Sequence, residues 1–358
     1  EPALPPPEGG ALSPELWGLR LRPVYPRGSN TIQSRSVQQR GKVLSLRLPG
    51  QWVWDSWFAF DGENHHAFYL QASRALGDPN RRHRNVSVGH AISKDLKNWT
   101  VVADALAVSE PPAPDSWTTW TGSVVREENG SWRMFYTGTS REDDGQRQTV
   151  CAATSSDLMT WTKVDNLPVV SADKRWYKTL EAGYDYEPFR DPWVFKLPGQ
   201  SEWTMLTTAS SVESKTRFDE AVMGVAKSKD LINWEVLPPL GKPGQGFGET
   251  EVFQFEVVDG VPIILFCCGP LWISEERKAA GEIGGVYSFP VANDLSDVDF
   301  NRAVLFPDTS LYASRLVQDQ NGGWNLIAFI NEVDGVFVGE LCDPIPVTAD
   351  PARGLILR

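Results

Sequence analysis

The 358-residue chain is predicted to be all-β, a single five-bladed β-propeller, and three observations carry that expectation. The first is a repeat: AISKDLKNWT from Ala91, ATSSDLMTWT from Ala153 and AKSKDLINWE from Ala226 share A-x-S-x-D-L-x-x-W. Their Asp95, Asp157 and Asp230 are spaced by 62 and 73 residues, room for one four-stranded sheet with its loops. The second is the text before each repeat, which is short and rich in aromatic and β-branched residues, as strands are. The third is 30 Gly and 26 Pro, which punctuate a chain of many short elements, with no convincing amphipathic helix beyond about ten residues.

Taken in order, residues 1–45 are Pro-rich and aperiodic and read as an N-terminal strap, with residues 46–358 forming the propeller. The chain opens EPALPPPEGG without a charged-then-apolar leader, as an already trimmed start would. Ala67–Gln71, Trp132–Tyr136, Trp203–Thr207, Ile263–Phe266 and Trp324–Phe329 are the expected strands, one in each unit. A degenerate fourth copy of the repeat stands at Ala292-Asn-Asp294-Leu295. Within each repeat the Asp is expected to cap a turn and the Trp to pack between neighbouring blades. The basic cluster Asp78-Pro-Asn-Arg-Arg-His-Arg84 is expected to be a solvated loop.

Composition excludes several functions. A net charge of −12 argues against a nucleic-acid or anionic-membrane binder, and no apolar run is long enough for a transmembrane helix. Cys151, Cys267, Cys268 and Cys342 follow no metal-ligand spacing and read as buried free thiols. The four His show no HExxH pattern, so neither a metal nor a cofactor is expected. Fifteen Trp suit a protein that stacks flat apolar faces, and sugar rings offer such faces.

Propeller chemistry belongs in the central funnel, so the informative residues are polar ones inside apolar innermost-strand text. Three segments qualify: Gln51–Phe60 with Asp55, Tyr186–Phe195 with Glu187, Arg190 and Asp191, and Gly246–Phe253 with Glu249 and Glu251. A carboxylate among aromatics costs free energy unless it is paired, and a shared axis would bring the three segments together. Two or three carboxylates without a metal are what glycosidic-bond cleavage needs: one to attack or support the sugar carbon and one to donate a proton. No GxSxG, GxxxxGK[ST] or Rossmann fingerprint offers a rival chemistry.

These segments resemble a known group. Val53-Trp54-Asp55-Ser56-Trp57 is similar to the nucleophile motif of glycoside hydrolase family 68, the levansucrase and inulosucrase group. Trp120-Thr121-Gly122-Ser123 resembles its Trp-Ser-Gly-Ser segment. Phe189-Arg190-Asp191-Pro192 resembles the Arg-Asp-Pro motif shared with the invertase family 32, and Glu249-Thr250-Glu251 stands where the group has Glu-x-Glu, followed here by Val252-Phe253 instead of Arg-Pro. The resemblance covers residues 50–340 and implies Asp55 as nucleophile, Asp191 as transition-state stabiliser and Glu251 as general acid/base. It further implies Trp54, Trp120, Ser123, Arg190 and Glu249 around the fructosyl ring, and no room for the C-terminal β-sandwich of family 32.

The expected activity is a retaining β-fructosidase or fructosyltransferase acting on sucrose, fructo-oligosaccharides or fructans, with a carboxyl separation of about 5–5.5 Å. The alternatives are an inverting arabinanase- or xylosidase-like propeller and a non-catalytic sugar-binding propeller. A Ser-Arg pair that grips the acceptor sugar in the group has no counterpart near Phe266-Cys267-Cys268-Gly269, so hydrolysis is expected to outrun transfer. Should transfer dominate, Tyr312 or Arg315 of Leu311-Tyr-Ala-Ser-Arg315 is the residue left to hold the acceptor. A fructan substrate points to an extracellular enzyme, with a cytoplasmic one as the alternative.

Overall fold

The alternating aromatic and β-branched runs form antiparallel sheets, described by a computed structural model for residues 44–164 and 168–358. The first blade is Gln51–Phe60, His65–Ser73, Ser87–Ser93 and Thr100–Val101; the second is Thr118–Arg126, Trp132–Thr139, Gln148–Ser155 and Thr162–Lys163. The third is Phe189–Lys196, Trp203–Ser210, Ala221–Ser228 and Trp234–Leu240; the fourth is Glu251–Val258, Val261–Cys268, Gly285–Pro290 and Val304–Leu305. In the fifth, Leu311–Gln318, Trp324–Val333 and Val336–Cys342 pair in order, and Leu44–Leu46 adds the outermost strand beside Val336–Cys342. The beginning of the described chain thus closes the blade made by its end, which removes an exposed sheet edge. The segment read as an N-terminal strap lies outside the described residues, apart from positions 44 and 45 in that strand. Among the described residues the only α-helical stretch is Glu275–Ala279.

The five strands expected from the sequence are all present, each as the second strand of its blade. The repeat is a turn device. Asp95 accepts from the backbone N–H groups of Lys97 and Asn98 at 2.9 and 2.7 Å, and Asp157 and Asp230 repeat the arrangement. The next residue, Leu96, Leu158 or Leu231, takes φ = 62° in all three, and Leu295 of the degenerate copy takes 61°. A leucine in the left-handed region is strained, and its burial together with the Asp cap holds it there. Trp161 of the second blade meets Phe68 of the first edge-on at 5.5 Å, and Trp234 of the third meets Phe135 of the second in the same way. In these two copies the Trp is therefore an inter-blade wedge, while Trp99 of the first copy lies 6.2 Å from Phe58 of its own blade.

The innermost strands of neighbouring blades pack against one another all the way round, fifth against first included. Each breaks register with its neighbour at an equivalent place: after Trp54, Trp120, Arg190, Glu251 and Tyr312. Asp191, Val252 and Ala313, the first bulged residues of blades three to five, have φ of 58°, 58° and 44°. For a β-branched valine this is a costly conformation, of order 1–3 kcal/mol. Bulges re-aim side chains, and strain of this kind collects at functional sites.

Candidate active site

Asp55 is the extra residue of the first bulge and receives the hydroxyl hydrogen of Thr121, the extra residue of the second. Thr121 is tied in turn to the third blade. Its carbonyl accepts from Thr137 Oγ1 at 3.1 Å, and Thr137 Oγ1 accepts from the backbone N–H of Asp191 at 2.8 Å. Asp191 also accepts from Thr208 Oγ1 at 2.9 Å and is only 3% exposed. One hydrogen-bonded chain therefore registers the two aspartates across three blades.

Arg190 gathers the remaining acids. Its Nη2 lies 2.9 Å from Glu249 Oε1 and 2.7 Å from Glu251 Oε1, and its Nε lies 3.3 Å from Asp191 Oδ2. Its Nη1 donates to Tyr186 Oη at 2.6 Å and Gln148 Oε1 at 3.1 Å. Tyr312, at the fifth bulge, donates its hydroxyl to Glu251 Oε2 at 2.5 Å. Both Glu251 oxygens are thus oriented, one by a cation and one by a phenol.

Burial raises the Asp55 carboxyl to about 6; the Thr121 hydrogen bond opposes it, and the Glu251 charge adds to it. Burial likewise raises Asp191 to about 7, with Arg190 opposing and Glu251 and Asp55 reinforcing. Glu249 is raised by burial against the pull of Arg190. Burial works against the Arg190 charge, yet Glu249, Tyr186, Glu251 and Asp191 outweigh it and hold the guanidinium well above its usual range. Raised carboxyls favour the folded chain fully below their unfolded values near 4 and progressively less as pH rises through about 6 and 7. The cluster costs stability at neutral pH, as a site arranged for chemistry does.

Thr121→Val tests this wiring. Loss of a hydrogen bond to the charged form lifts Asp55 further, by about one pH unit. The acid limb of the kcat/KM profile should move up accordingly, so that activity at pH 5 falls about tenfold more than at pH 8. A uniform loss with an unmoved limb would assign Thr121 to packing alone.

The sequence-predicted residues do not all meet. Asp55, Asp191, Glu251, Arg190, Glu249 and Tyr312 are joined by the charges and hydrogen bonds above, while Trp54, buried, and Trp120, half-buried, each meet the ring of His83, at 6.0 and 6.4 Å. Ser123 is elsewhere: it is wholly buried, and its Oγ accepts from the Val194 backbone N–H at 3.1 Å, fastening blade two to blade three. Arg315, considered for acceptor binding, is 1% exposed and donates to backbone carbonyls, so it cannot grip a sugar. Cys267 and Cys268 are fully buried, and Cys151 and Cys342 are buried, all unbridged, so Cys267 and Cys268 do not line an acceptor site either.

The basic cluster is not a solvated loop. Asp78 caps a 3-10 turn over Pro79–Arg84, in which Arg81 stays exposed while Arg82, His83 and Arg84 fold onto aromatic rings. The Arg82 guanidinium lies 4.1 Å from the Phe337 ring centre and 5.4 Å from that of Trp54. Arg84 lies 4.1 Å from Trp117, and the His83 carbonyl accepts from Trp120 Nε1 at 2.9 Å. Planar cations stack on aromatic faces, and here that contact replaces hydration. Burial lowers Arg82 to about 10 while Asp55 opposes the change, and burial with Arg82, Arg84 and Arg190 keeps His83 well below its usual range, hence neutral.

Thr121, Thr137, Gln148, Tyr186 and Thr208 were not singled out by sequence. Thr121 and Tyr186 stood inside the quoted motifs, so proximity to a carboxylate segment was the available signal. Gln148, Thr137 and Thr208 sit on second and third strands, where nothing in the text distinguishes them.

Comparison with known proteins agrees with this architecture. The model of the family described as glycosyl hydrolases family 32 N-terminal domain matches residues 55–337. Beta-fructofuranosidase 1 of Zea mays is 29% identical over 177 residues, 48% of this chain and 24% of the relative. Fructan 1-exohydrolase w3 of Triticum aestivum is 30% identical over 148 residues, 41% of this chain and 22% of the relative. 6(G)-fructosyltransferase of Asparagus officinalis is 30% identical over 270 residues, 71% of this chain and 38% of the relative. The matched stretches span about a quarter to two fifths of these relatives' lengths. Among solved structures, the inulosucrase from Halalkalicoccus jeotgali bound to kestose superposes with a TM-score of 0.68 at 19% identity, covering 87% of this chain and 90% of that one. A mutant Bombyx mori β-fructofuranosidase in complex with sucrose gives 0.67 at 20% identity, covering 88% and 64%. Those likenesses are of fold, whereas the sequence match extends over most of the propeller and both of its aspartate motifs: the chain belongs to the glycosyl hydrolase family 32 N-terminal-domain family.

Proposed function

We propose that this propeller carries the active site of a retaining fructosyl glycosidase or fructosyltransferase acting on sucrose or fructans. The observation that carries the reading is the convergence of Asp55, Asp191 and Glu251 on one interacting cluster from the innermost strands of three blades, two of them held by Arg190. The names of the relatives, β-fructofuranosidase, fructan exohydrolase and fructosyltransferase, support the sugar. So do the sucrose and kestose bound by two structures of the same fold.

In this reading Asp55 attacks the anomeric carbon of the fructosyl unit. Glu251 gives its proton to the departing glycosidic oxygen as the C–O bond breaks. A covalent fructosyl-enzyme results. Glu251, now ionised, takes a proton from water or an acceptor hydroxyl, which attacks the same carbon and releases Asp55. Asp191 stabilises the positive charge that builds on the ring in both steps, and Trp54 and Trp120 wall the ring. The Val53–Trp57 segment supports a levansucrase- or inulosucrase-like variant, in which transfer to sugar competes with hydrolysis. Action on an extracellular polymer is part of the same proposal.

Incubation with sucrose, inulin, levan and arabinan, with the released sugar identified, tests it. Fructose from at least one of the first three is expected, and arabinose alone would overturn the reading in favour of an arabinanase. At millimolar sucrose the ratio of free glucose to free fructose should stay near one, because hydrolysis dominates. A ratio well above one would show transfer instead.

A further inference from the structure

We propose that Arg315 is a positioning residue for this reaction, locking the bulged backbone of two blades next to the carboxylates and adding a positive charge to their surroundings; this rests on the fructosyl-transfer reading above. Arg315 follows the bulge of the fifth innermost strand. Its Nη1 donates to the carbonyls of Val252 and Phe253 at 2.9 and 2.8 Å, and its Nη2 to the carbonyl of Gly122 at 3.4 Å. Val252 and Phe253 are the bulged residues of the fourth blade, directly after Glu251, and Gly122 directly follows the bulged Thr121 of the second. The guanidinium rests 4.9 Å from the ring centre of Trp193 in the third blade. One side chain from the fifth blade therefore braces blades two, three and four at the points where the ladder is broken.

The chemistry of that placement is unusual. A bulge frees carbonyl groups that a buried chain must satisfy, and a neutral donor would suffice for them. A guanidinium was used, and among the described residues no carboxylate stands within ion-pair distance of it. A buried cation without a carboxylate in contact is expensive, and removing it would leave the site more negative. The charges of Asp191, Asp55 and Glu256 and the Cys267 thiol act on it against the effect of burial. Burial lowers it only to about 10, so it stays charged wherever the enzyme would work. The other charges facing Asp55 are Glu251, Arg82 and Asp191, and those facing Asp191 are Arg190, Glu251 and Asp55. With four acids gathered here, Arg315 joins Arg190 and Arg82 as the third cation. Among the described residues neither it nor Arg82 bonds directly to the acids, so its charge offsets their repulsion without occupying an oxygen the reaction needs.

The test compares Arg315→Lys, Arg315→Gln and Arg315→Met in the kcat/KM profile for fructoside cleavage from pH 4 to 9. The neutral variants should raise the acid limb by roughly a few tenths of a pH unit, since Arg315 acts on the carboxyls without touching them. Lys keeps the charge and loses the fork, so its limb should stay in place while its plateau falls about tenfold. Titration of the Asp55 and Asp191 carboxyls by carbon-13 NMR, assigned with Asp55→Asn and Asp191→Asn, reads the same shift without substrate. That measurement separates failure of this inference from failure of the fructosyl reading. Limbs and carboxyl titrations unmoved in Gln and Met, or moved equally in Lys, would overturn the proposal. If neither neutral variant folds, a displaced limb or carboxyl titration in Lys overturns it, and an unmoved one with a lowered plateau supports it.

Discussion

Asp55→Asn is expected to lower kcat on sucrose by about 10⁴-fold or more, about 5.5 kcal/mol of transition-state stabilisation, in a protein that still folds and still binds sugar. The amide is isosteric and keeps an oxygen that can accept from Thr121, so the bulge and its hydrogen-bonded chain survive. What it loses is the anion that forms the covalent bond. Stability should hold or rise at pH 7. The Asp55 carboxyl is raised to about 6 in the folded chain, so its ionisation opposes folding at neutral pH, and a neutral amide removes that opposition. Calorimetric binding of sucrose to the variant, a thermal melt and a single-turnover assay together check the claim. Residual activity above about one per cent would remove Asp55 from the role of nucleophile.

Arg190→Met should produce the largest loss of stability, about 3–5 kcal/mol, the cost of stranding buried charges when one partner goes. Arg190 is 6% exposed and, among the described residues, is the one cation in contact with Glu249, Glu251 and Asp191 together. In a chain of this size the melting temperature should fall by roughly 10 °C. The deficit should shrink on acidification. Without the guanidinium, Glu249 and Asp191 rise further above their unfolded values, and a raised carboxyl stabilises the fold below that value and loses its contribution as pH rises through the folded one. Melts at pH 5 and pH 8 check the sign: the gap between variant and wild type must be smaller at pH 5. Arg190→Lys should recover part of the stability but little activity, since one ammonium cannot reach Tyr186, Gln148 and three carboxylates at once.

The blades were legible because their signals are local. In A-x-S-x-D-L-x-x-W the Asp cap, the left-handed Leu and the Trp wedge follow one another within a few residues. Copies at Ala91, Ala153 and Ala226 therefore marked the blades before any contact was known. The acids were legible for a different reason: Asp55, Asp191 and Glu251 stand in apolar strand text where a charge needs an explanation. The basic turn misled because charge density describes composition. Whether Arg82 meets water or an aromatic face depends on where Phe337, some 250 residues later in the chain, arrives.

By itself, then, the sequence determined the repeating sheet, the turn chemistry and the acids that belong in a funnel, all readable within short windows. Only the tertiary structure decided which neighbours of those acids face them. An innermost strand alternates its side chains with period two, and a bulge shifts the alternation by one. Thr121 therefore turns toward Asp55, while Ser123, two residues on, turns away to hold Val194. Ring closure decided the rest. It brings Tyr312 onto Glu251 and Arg315 beneath the bulges of the other blades, across separations of 61 to 193 residues that no local pattern encodes.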